Sequence, residues 1–287
     1  MDNEALIRLG GFSGVLIGMS LWESCAPRRQ RVVSRWGRSI NNLLLVVVAS
    51  LTVRVIPALS AVAAAKWSSQ NNVGLLNLFE ASGWLKGLVA LIALDLLIYG
   101  QHVMTHHMPM LWRFHRVHHA DLDLDATSGV RFHPVEILLS MGIKVIAVTL
   151  LGAGYEAVLV FEVGLNAAAT FNHGNVILPD WCDRYLRWVI VTPDMHRVHH
   201  SIRPEETHSN FGFNLPWWDW LFQTYRAQPQ DSHEQLPLGL PDRRTALETV
   251  PLGVMLWMPF RSVSTRKTDP DSLPSERATG NGSDPVS

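Results

Sequence analysis

Gln101-His102-Val-Met-Thr-His106-His107-Met-Pro109-Met-Leu-Trp-Arg-Phe-His115-Arg-Val-His118-His119 carries histidines at three- and four-residue spacings. Those spacings bring side chains onto one face of a helix. His102 and His106 therefore point one way, and His115, His118 and His119 form a second cluster. Further along, His196-Arg-Val-His199-His200 repeats the second pattern almost letter for letter. Neutral imidazoles at this density are good ligands for first-row transition metals. Without a metal they are poor neighbours, since several would have to share protons or carry charge in a confined space. The first expectation is a metal site.

The segment leading into this stretch, residues 84–100, is apolar and ends Leu94-Asp95-Leu-Leu-Ile-Tyr99-Gly. It reads as a membrane span that runs without a break into His102 and His106. Asp95, Tyr99, His102 and His106 share one helical stripe. An acid within a span is a functional candidate; its plainer alternative is a paired structural carboxylate, with Arg54 as the candidate partner. Composition agrees with a membrane protein: 17% of residues are charged, against about a quarter in soluble domains, and 47% are hydrophobic. A net charge of −1 gives no electrostatic case for nucleic acid. With only Cys25 and Cys182, the chain has neither a disulfide framework nor a cysteine-ligated zinc or iron–sulfur centre.

Four further stretches read as membrane-embedded. Residues 5–22 form a first span, with Gly10, Gly14 and Gly18 at the spacing of a helix-packing face. A cleaved signal peptide fits badly there, because Asp2 and Glu4 replace a basic start. Residues 41–65 form a second span. Five arginines at 28–38 precede it, a patch that binds anionic lipid or is solvated and that marks the cytoplasmic side. Residues 135–151 and 155–171, broken at Gly152-Ala-Gly154, fit a helical hairpin that crosses and returns. Counted from the arginine loop, all three histidine clusters and the C-terminus fall on the cytoplasmic side. Residues 172–226 are polar and aromatic and read as hugging the interface. Residues 248–260 are too short to cross, and 261–287 have the composition of a disordered tail. The expected fold is all-α: a multi-span helical membrane protein with a histidine-rich cytoplasmic di-metal cap.

Eight imidazoles (His102, His106, His115, His118, His119, His196, His199 and His200) exceed what one ion holds, so two metals are expected. Ligand type alone leaves iron, copper and zinc open. A His-Glu-x-x-His is lacking, which disfavours a zinc protease, and the Glu-x-x-His pairing of soluble di-iron bundles occurs only at Glu205 and His208, in a loop-like setting.

Taken in order, Asp95-x-x-x-Tyr99-x-x-His102-x-x-x-His106, Leu111-Trp-Arg-Phe-His115-Arg-Val-His118-His119, Arg131-Phe-His133-Pro-Val-Glu136, Asn172-His173, Thr192-Pro-Asp-Met-His196-Arg-Val-His199-His200, Asn210-Phe-Gly and Trp218-Asp219-Trp-Leu-Phe222-x-Thr-Tyr225 resemble the signatures of the membrane-bound fatty acid hydroxylase/sterol desaturase superfamily. The resemblance covers roughly residues 89–226. It implies a histidine-ligated di-iron centre, O2 as co-substrate, electrons from a reductase or redox protein, and hydroxylation or desaturation of a membrane lipid. It also implies a ninth ligand, His173, which by itself reads as structural. Gly100 and Val103 stand where the family often has Trp and Arg, and Gln223 where it commonly has Gly; none of these removes a proposed ligand. His107, His133 and His233 receive no metal role, and His208 is a candidate for the substrate side. The implied division is 1–88 for the N-terminal spans and basic loop, 89–226 for a catalytic domain, and 227–287 for a surface segment and tail. The rival readings are a non-oxidative metal-dependent lipid hydrolase and a non-catalytic metal-binding membrane protein.

Overall fold

The computed structural model describes residues 3–261, and among them every regular element is helical. Five long helices build the body: α1 (Asn3–Cys25), α2 (Arg35–Arg54), α4 (Gly83–His107), α6 (Pro134–Leu151) and α7 (Tyr155–Asn172). Of these, α1, α2, α4 and α6 are long and apolar enough to cross a membrane. Leu44, Val47 and Leu51 on α2, Leu88 and Leu96 on α4, and Ile146 and Leu150 on α6 lie exposed. That much apolar surface suits lipid rather than water. The short helix α3 (Ala61–Gln70) packs against α6 and α7, and Ala61, Val62 and Ala65 share a buried core with Ala90, Leu94, Val148 and Phe161.

The second span differs from its expected limits of 41–65. Its helix starts at Arg35 and stops at Arg54, and Pro57 opens a 3₁₀ turn before α3 begins. Proline lacks the amide that would continue the helix and pushes Ile56 out of the helical region. Arg54 therefore stands exposed at a helix end, not mid-span. The glycine face also moves. A Cβ on Gly10, Gly14 or Gly18 would meet nothing, whereas one on Gly11 would lie 3.1 Å from Val163 Cγ1 of α7. Helix α1 docks on α7 through Gly11, and the other three glycines face outward.

The hairpin follows the expected boundaries. Gly152 ends α6 with φ +69°, and a side chain on Gly74 of the facing turn would lie 2.2 Å from the Gly152 amide nitrogen. Only glycine tolerates both the angle and the approach. The hairpin returns the chain to the end of the body where α4 also finishes, and α5 (Pro109–His119), α8 (Asp180–Leu186), α9 (Pro193–His199), α10 (Pro204–Thr207), α11 (Trp217–Leu221), α12 (Ala246–Thr249) and α13 (Leu252–Trp257) cap that end.

The arginine loop is neither solvated nor a free lipid-binding patch. Arg38 is fully buried; its Nη1 donates to Asp121 Oδ2 (2.9 Å), the Asp123 carbonyl (2.7 Å) and Ser128 Oγ (3.1 Å), and its Nη2 pairs with Asp125. Arg28 pairs with Asp194 and Glu234, and Arg31 and Arg35 pair with the buried Glu23. Glu23 in turn accepts from the Ala126 (2.7 Å) and Asn175 (3.0 Å) amides. The cationic run thus clamps the ends of α1 and α2 onto the loop after α5. Residues 248–260 are also more than a surface strip. Met255 and Met258 are buried with Val117 and Leu45, and the Met258 carbonyl accepts from Arg116 Nη2 at 2.8 Å. Beyond Arg261 the tail lies outside the described residues.

Candidate metal centre

Three helix starts with proline set the histidines. Helix α4 ends because Met108 precedes Pro109, which favours the extended conformation observed at Met108 (φ −96°, ψ 114°). Pro109 then starts α5, so the chain doubles back and turns His115 and His119 toward His102 and His106. Thr192-Pro193 starts α9 in the same way, and His133-Pro134 starts α6.

All nine histidines implied by the sequence are buried and fall into two groups. His102, His106, His115, His119 and His199 form one; His118, His173, His196 and His200 form the other. Within each group one nitrogen of every ring lies within 4.8 Å of the corresponding nitrogens of the rest. Helical geometry divides the motif. In α5, His115 and His119 are four apart and face the first group, while His118 faces the second; in α9 the division reverses, with His196 and His200 in the second group and His199 in the first.

Hydrogen bonds orient the rings. His102 Nδ1 donates to the Phe211 carbonyl (2.8 Å), His199 Nδ1 to the Ser209 carbonyl (2.7 Å), and His115 Nδ1 to Glu136 Oε1 (2.6 Å). His173 Nδ1 lies 2.7 Å from the Ala169 carbonyl and 2.6 Å from Asn172 Oδ1. A proton held on Nδ1 leaves Nε2 as a bare acceptor pointing inward. In the first group, Nε2 of His102, His106, His115, His119 and His199 is buried with no hydrogen-bond partner. In the second, Nε2 of His118 lies 3.1 Å from that of His173, His173 3.0 Å from His196, and His196 3.1 Å from His200. Converging lone pairs without donors are costly when buried. A cation within each group resolves the conflict, so the donor set fits two metal ions.

Electrostatics point the same way. Burial first, and then the neighbouring imidazoles, hold His118, His119, His196 and His200 well below the ordinary histidine value; His199 is held low by burial and His102. Burial brings His173 down to about 4. The rings are neutral, which is the form that binds metal. Aromatic rings seal the site: Phe132 stacks on His118 at 4.4 Å, and Trp112 and Phe211 lie 5.0 and 5.2 Å from His106.

Asp95 joins neither group and is not paired with Arg54. It accepts from Asn214 Nδ2 (2.6 Å), the Leu215 amide (3.3 Å) and Trp218 Nε1 (2.8 Å). One turn on, Tyr99 Oη meets Thr224 Oγ1 at 2.9 Å. The α4 stripe therefore fastens the segment 210–225, whose Phe211 carbonyl holds His102. His107 is exposed and bonded to the Val103 carbonyl, and His133 caps α6 through the Val135 amide. His208 is exposed, with its ring 5.6 Å from that of His106. His233 contacts Gln228 and Asp194.

Sequence reasoning gave no role to Glu136, Asn172 or Asp219. Glu136 and Asn172 orient His115 and His173. Asp219 accepts from the Phe211 and Gly212 amides, both at 2.8 Å, and from Thr224 Oγ1 at 2.6 Å. Burial raises Asp219 to about 6. Each stood inside a quoted motif, and its position there was the available signal.

Residues 87–224 match the family described as fatty acid hydroxylase. Among curated proteins, the chain is 31% identical over 144 residues to the ornithine lipid hydroxylase of Rhizobium tropici, an alignment covering 50% of this chain and 43% of that protein. It is 26% identical over 162 residues to the alkylglycerol monooxygenase of Xenopus tropicalis, covering 54% and 33%. It is 23% identical over 150 residues to a very-long-chain aldehyde decarbonylase of Oryza sativa subsp. japonica, covering 49% and 23%. The chain thus spans less than half the length of each of these relatives. No solved structure matches it. The histidine-bearing region is the part that matches the fatty acid hydroxylase family and the part shared with these lipid enzymes.

Proposed function

We propose that the chain is an O2-dependent oxidoreductase that hydroxylates or desaturates a membrane lipid, with two iron ions held by His102, His106, His115, His119 and His199 and by His118, His173, His196 and His200. The observation that carries this reading is nine buried imidazoles in two groups, two of them at the end of α4, a helix long and apolar enough to cross a membrane. Five converging imidazoles exceed the four ligands of tetrahedral zinc, which favours iron. The relatives named for lipid hydroxylation and monooxygenation support the same class of reaction.

Bound iron would supply the oxidising power that side chains lack. The protein's own part is placement and exclusion. The carbonyls of Phe211, Ser209 and Ala169, with Glu136 and Asn172, fix ring tautomers so that Nε2 faces inward. Phe132, Trp112 and Phe211 keep water from the imidazoles. The apolar helices bring a lipid chain to the cap from the bilayer. Hydroxylation consumes one O2, two electrons and two protons, and yields an alcohol and one water; desaturation yields an alkene and two waters. Both need an electron-donating reductase or redox protein. The cap is assigned to the cytoplasmic side, where such donors reside, and residues 89–226 are assigned as the catalytic domain.

The test is product formation under 18O2 by the purified, iron-loaded protein with membrane lipid and a reductase. An 18O-labelled alcohol, or an alkene formed with O2 consumption, is expected, and His199→Ala should abolish either. Product formed equally without O2, or with zinc in place of iron, would overturn the reading in favour of a hydrolase.

A further inference from the structure

The α4 stripe that carries Asp95, Tyr99 and His102 is covered by a loop with α11 at its lower end. The loop leaves the cap at Asn210 and returns at Thr224, where the Asn210 amide donates to the Thr224 carbonyl (2.8 Å). Between these points it runs down α4: Phe211 meets His102, and Leu215 and Trp218 meet Asp95. His102 and Asp95 are seven residues apart, a descent of roughly 10 Å along the helix. On the way back Phe222 stacks on Tyr99 at 5.4 Å. Helix α4 is a candidate membrane span, and Trp84 stands exposed in its first turn, the place of an interfacial tryptophan. From Trp84 to Asp95 is eleven residues, roughly 16 Å, against a hydrocarbon core of about 30 Å. Counted this way, the contacts at Asp95 lie near the middle of the bilayer. Below the loop the stripe continues as Leu88, seven residues before Asp95 and exposed, so the underside of the loop adjoins lipid-facing surface.

Two properties of residues 211–222 suit that depth. Their outward side chains are apolar: only Trp217, Leu221 and Phe222 are exposed, and the sole ionisable group, Asp219, is fully buried. The first exposed polar residue is Gln223, at the upper end of the loop. Trp188, Val189 and Ile190 lie exposed beside it, joined through Trp217 Nε1 on the Trp188 carbonyl at 2.8 Å. The second property is a backbone whose polar groups turn inward and are paired. The Phe211 and Gly212 amides donate to Asp219 and the Leu215 amide to Asp95. The Phe213 carbonyl accepts from Asn172 Nδ2 (3.1 Å) and the Asn214 carbonyl from the Val191 amide (2.9 Å). Pro216 has no amide to satisfy. Non-helical backbone is tolerated at membrane depth only where such groups find partners within the protein. In water, solvent would serve the backbone equally well, and the exposed Trp, Leu and Phe side chains would be a liability.

We propose that residues 211–222 form a re-entrant loop, seated on α4 and inserted among the acyl chains of the bilayer that α4 crosses, with Trp217, Leu221 and Phe222 as its lipid contacts. Asp95 and Asp219 are the buried carboxylates that let an irregular backbone reach that depth. Phe211 at the top of the loop orients His102, so the loop ties the first histidine group to the lipid around it. The inference rests on α4 being a membrane span and is independent of the reaction.

Depth is measured on the full chain in phosphatidylcholine nanodiscs by electron spin resonance, with Cys25 and Cys182 replaced by serine and a nitroxide on one introduced cysteine. The label is placed in turn at Leu221, at Leu96 in the α4 span, at Trp84, and at Glu205 on the cap, all exposed positions. Oxygen concentrates among acyl chains and a neutral nickel chelate stays in water, so the ratio of their collision rates rises with depth. The ratio at Leu221 should exceed that at Glu205 severalfold, pass that at Trp84 and approach that at Leu96. A ratio at or below that of Trp84 would overturn the proposal, as would a label shielded from both reagents, which would mean that protein covers the loop. Metal content equal to that of the unmodified protein certifies the fold of each labelled variant. A second arm needs no variant: phosphatidylcholine carrying a diazirine midway along its acyl chain should, on irradiation, label Leu221 or Phe222 as it labels α4. Labelling confined to the spanning helices would overturn the reading. Neither arm involves turnover, so the loop and the oxygenase reading stand or fall separately.

Discussion

Asp95 and Asp219 each accept three hydrogen bonds, yet the same substitution to asparagine should affect them very differently. At Asp95, Oδ2 receives the Leu215 amide and Trp218 Nε1, and Oδ1 receives the side-chain amide of Asn214. Asparagine can keep its oxygen at the Oδ2 position. Its new NH2 then faces Asn214, a half-buried amide that can rotate and offer its own oxygen. Every donor is still satisfied, and the loss is only that of charge assistance, on the order of 1 kcal/mol. At Asp219, Oδ1 receives the Phe211 amide and Thr224 Oγ1, and Oδ2 receives the Gly212 amide. Two of these donors are backbone N–H groups, which cannot reverse. Asparagine must set an N–H against one of them at 2.8 Å, a clash plus a stranded donor costing about 2–4 kcal/mol. The Phe211 carbonyl that orients His102 sits on the displaced segment, so metal affinity should fall about 10–100-fold as well. Thermal unfolding in detergent with metal analysis would compare the two. Asp95→Asn should stay close to the unmodified protein in both readouts, while Asp219→Asn should lose stability and metal. Equal losses from the two substitutions would refute the hydrogen-bond argument.

Replacing Arg38 with methionine should leave Asp121 and Asp125 buried without their shared cation and destabilise the protein by about 3–5 kcal/mol; Arg38→Lys should not rescue it, since a single ammonium cannot reach four acceptors. A monodisperse Arg38→Met protein with an unchanged melting temperature would contradict this. Acid should unfold the metal-free protein steeply. His118, His119, His173, His196, His199 and His200 all titrate below their ordinary value, so their contribution is present above about pH 6.5 and is lost as pH falls, at about 1.4 kcal/mol per unit for each group. Asp219, raised to about 6, acts in the opposite sense, its contribution fading as pH rises through that value, but it is one group against six. A melting temperature that does not change between pH 7 and 5.5 would exclude neutral buried histidines. Gln223 holds φ +60° after α11, a backbone conformation that favours glycine. Gln223→Gly should therefore stabilise the protein by up to about 1 kcal/mol, and a lower melting temperature would show that its side chain contributes more than the strain costs.

The helices and the histidines were legible because their signals are local. Apolar runs set α1, α4, α6 and α7, the Gly152-Ala-Gly154 break set the hairpin, and the four-residue spacing paired His102 with His106; the expected clusters of His115, His118 and His119 and of His196, His199 and His200 are each split, because His118 and His199 turn to the other group. What escaped was long-range. The partner of Asp95 lies more than a hundred residues away, in a segment whose course is fixed only once Asp219 gathers the Phe211 and Gly212 amides. Glu136 reaches His115 only because α6 starts beside α5. The arginine run misled for the same reason: Arg38 finds Asp121 and Asp125 some eighty residues on, and composition alone cannot separate a solvated charge from a clamped one. Pro57 lies inside the expected 41–65 span, yet the loss of its amide and the change of direction that follows end the helix there.

The His-x-x-His-His motif acquires its reason from the way α5 and α9 divide it. Residues three and four positions from the first histidine flank its face on opposite sides, and the last two point about 100° apart. One helix end can therefore face two neighbouring centres at once. Helix α5 gives two rings to the first group and one to the second, while α9 gives one and two. Helix α4 then completes the first group with His102 and His106, and α7 completes the second with His173. Neither group can form unless both α5 and α9 are docked. The docking is supplied at a distance, by Arg131 Nε on the Val117 carbonyl of α5 at 2.8 Å and by Asn210 Nδ2 on the Met195 carbonyl of α9 at 2.9 Å. Disturbing either anchor should perturb both groups together. Two centres assembled from shared helices are a means of fixing their separation, which a pair of independent four-ligand sites would leave to the flexibility of the chain between them.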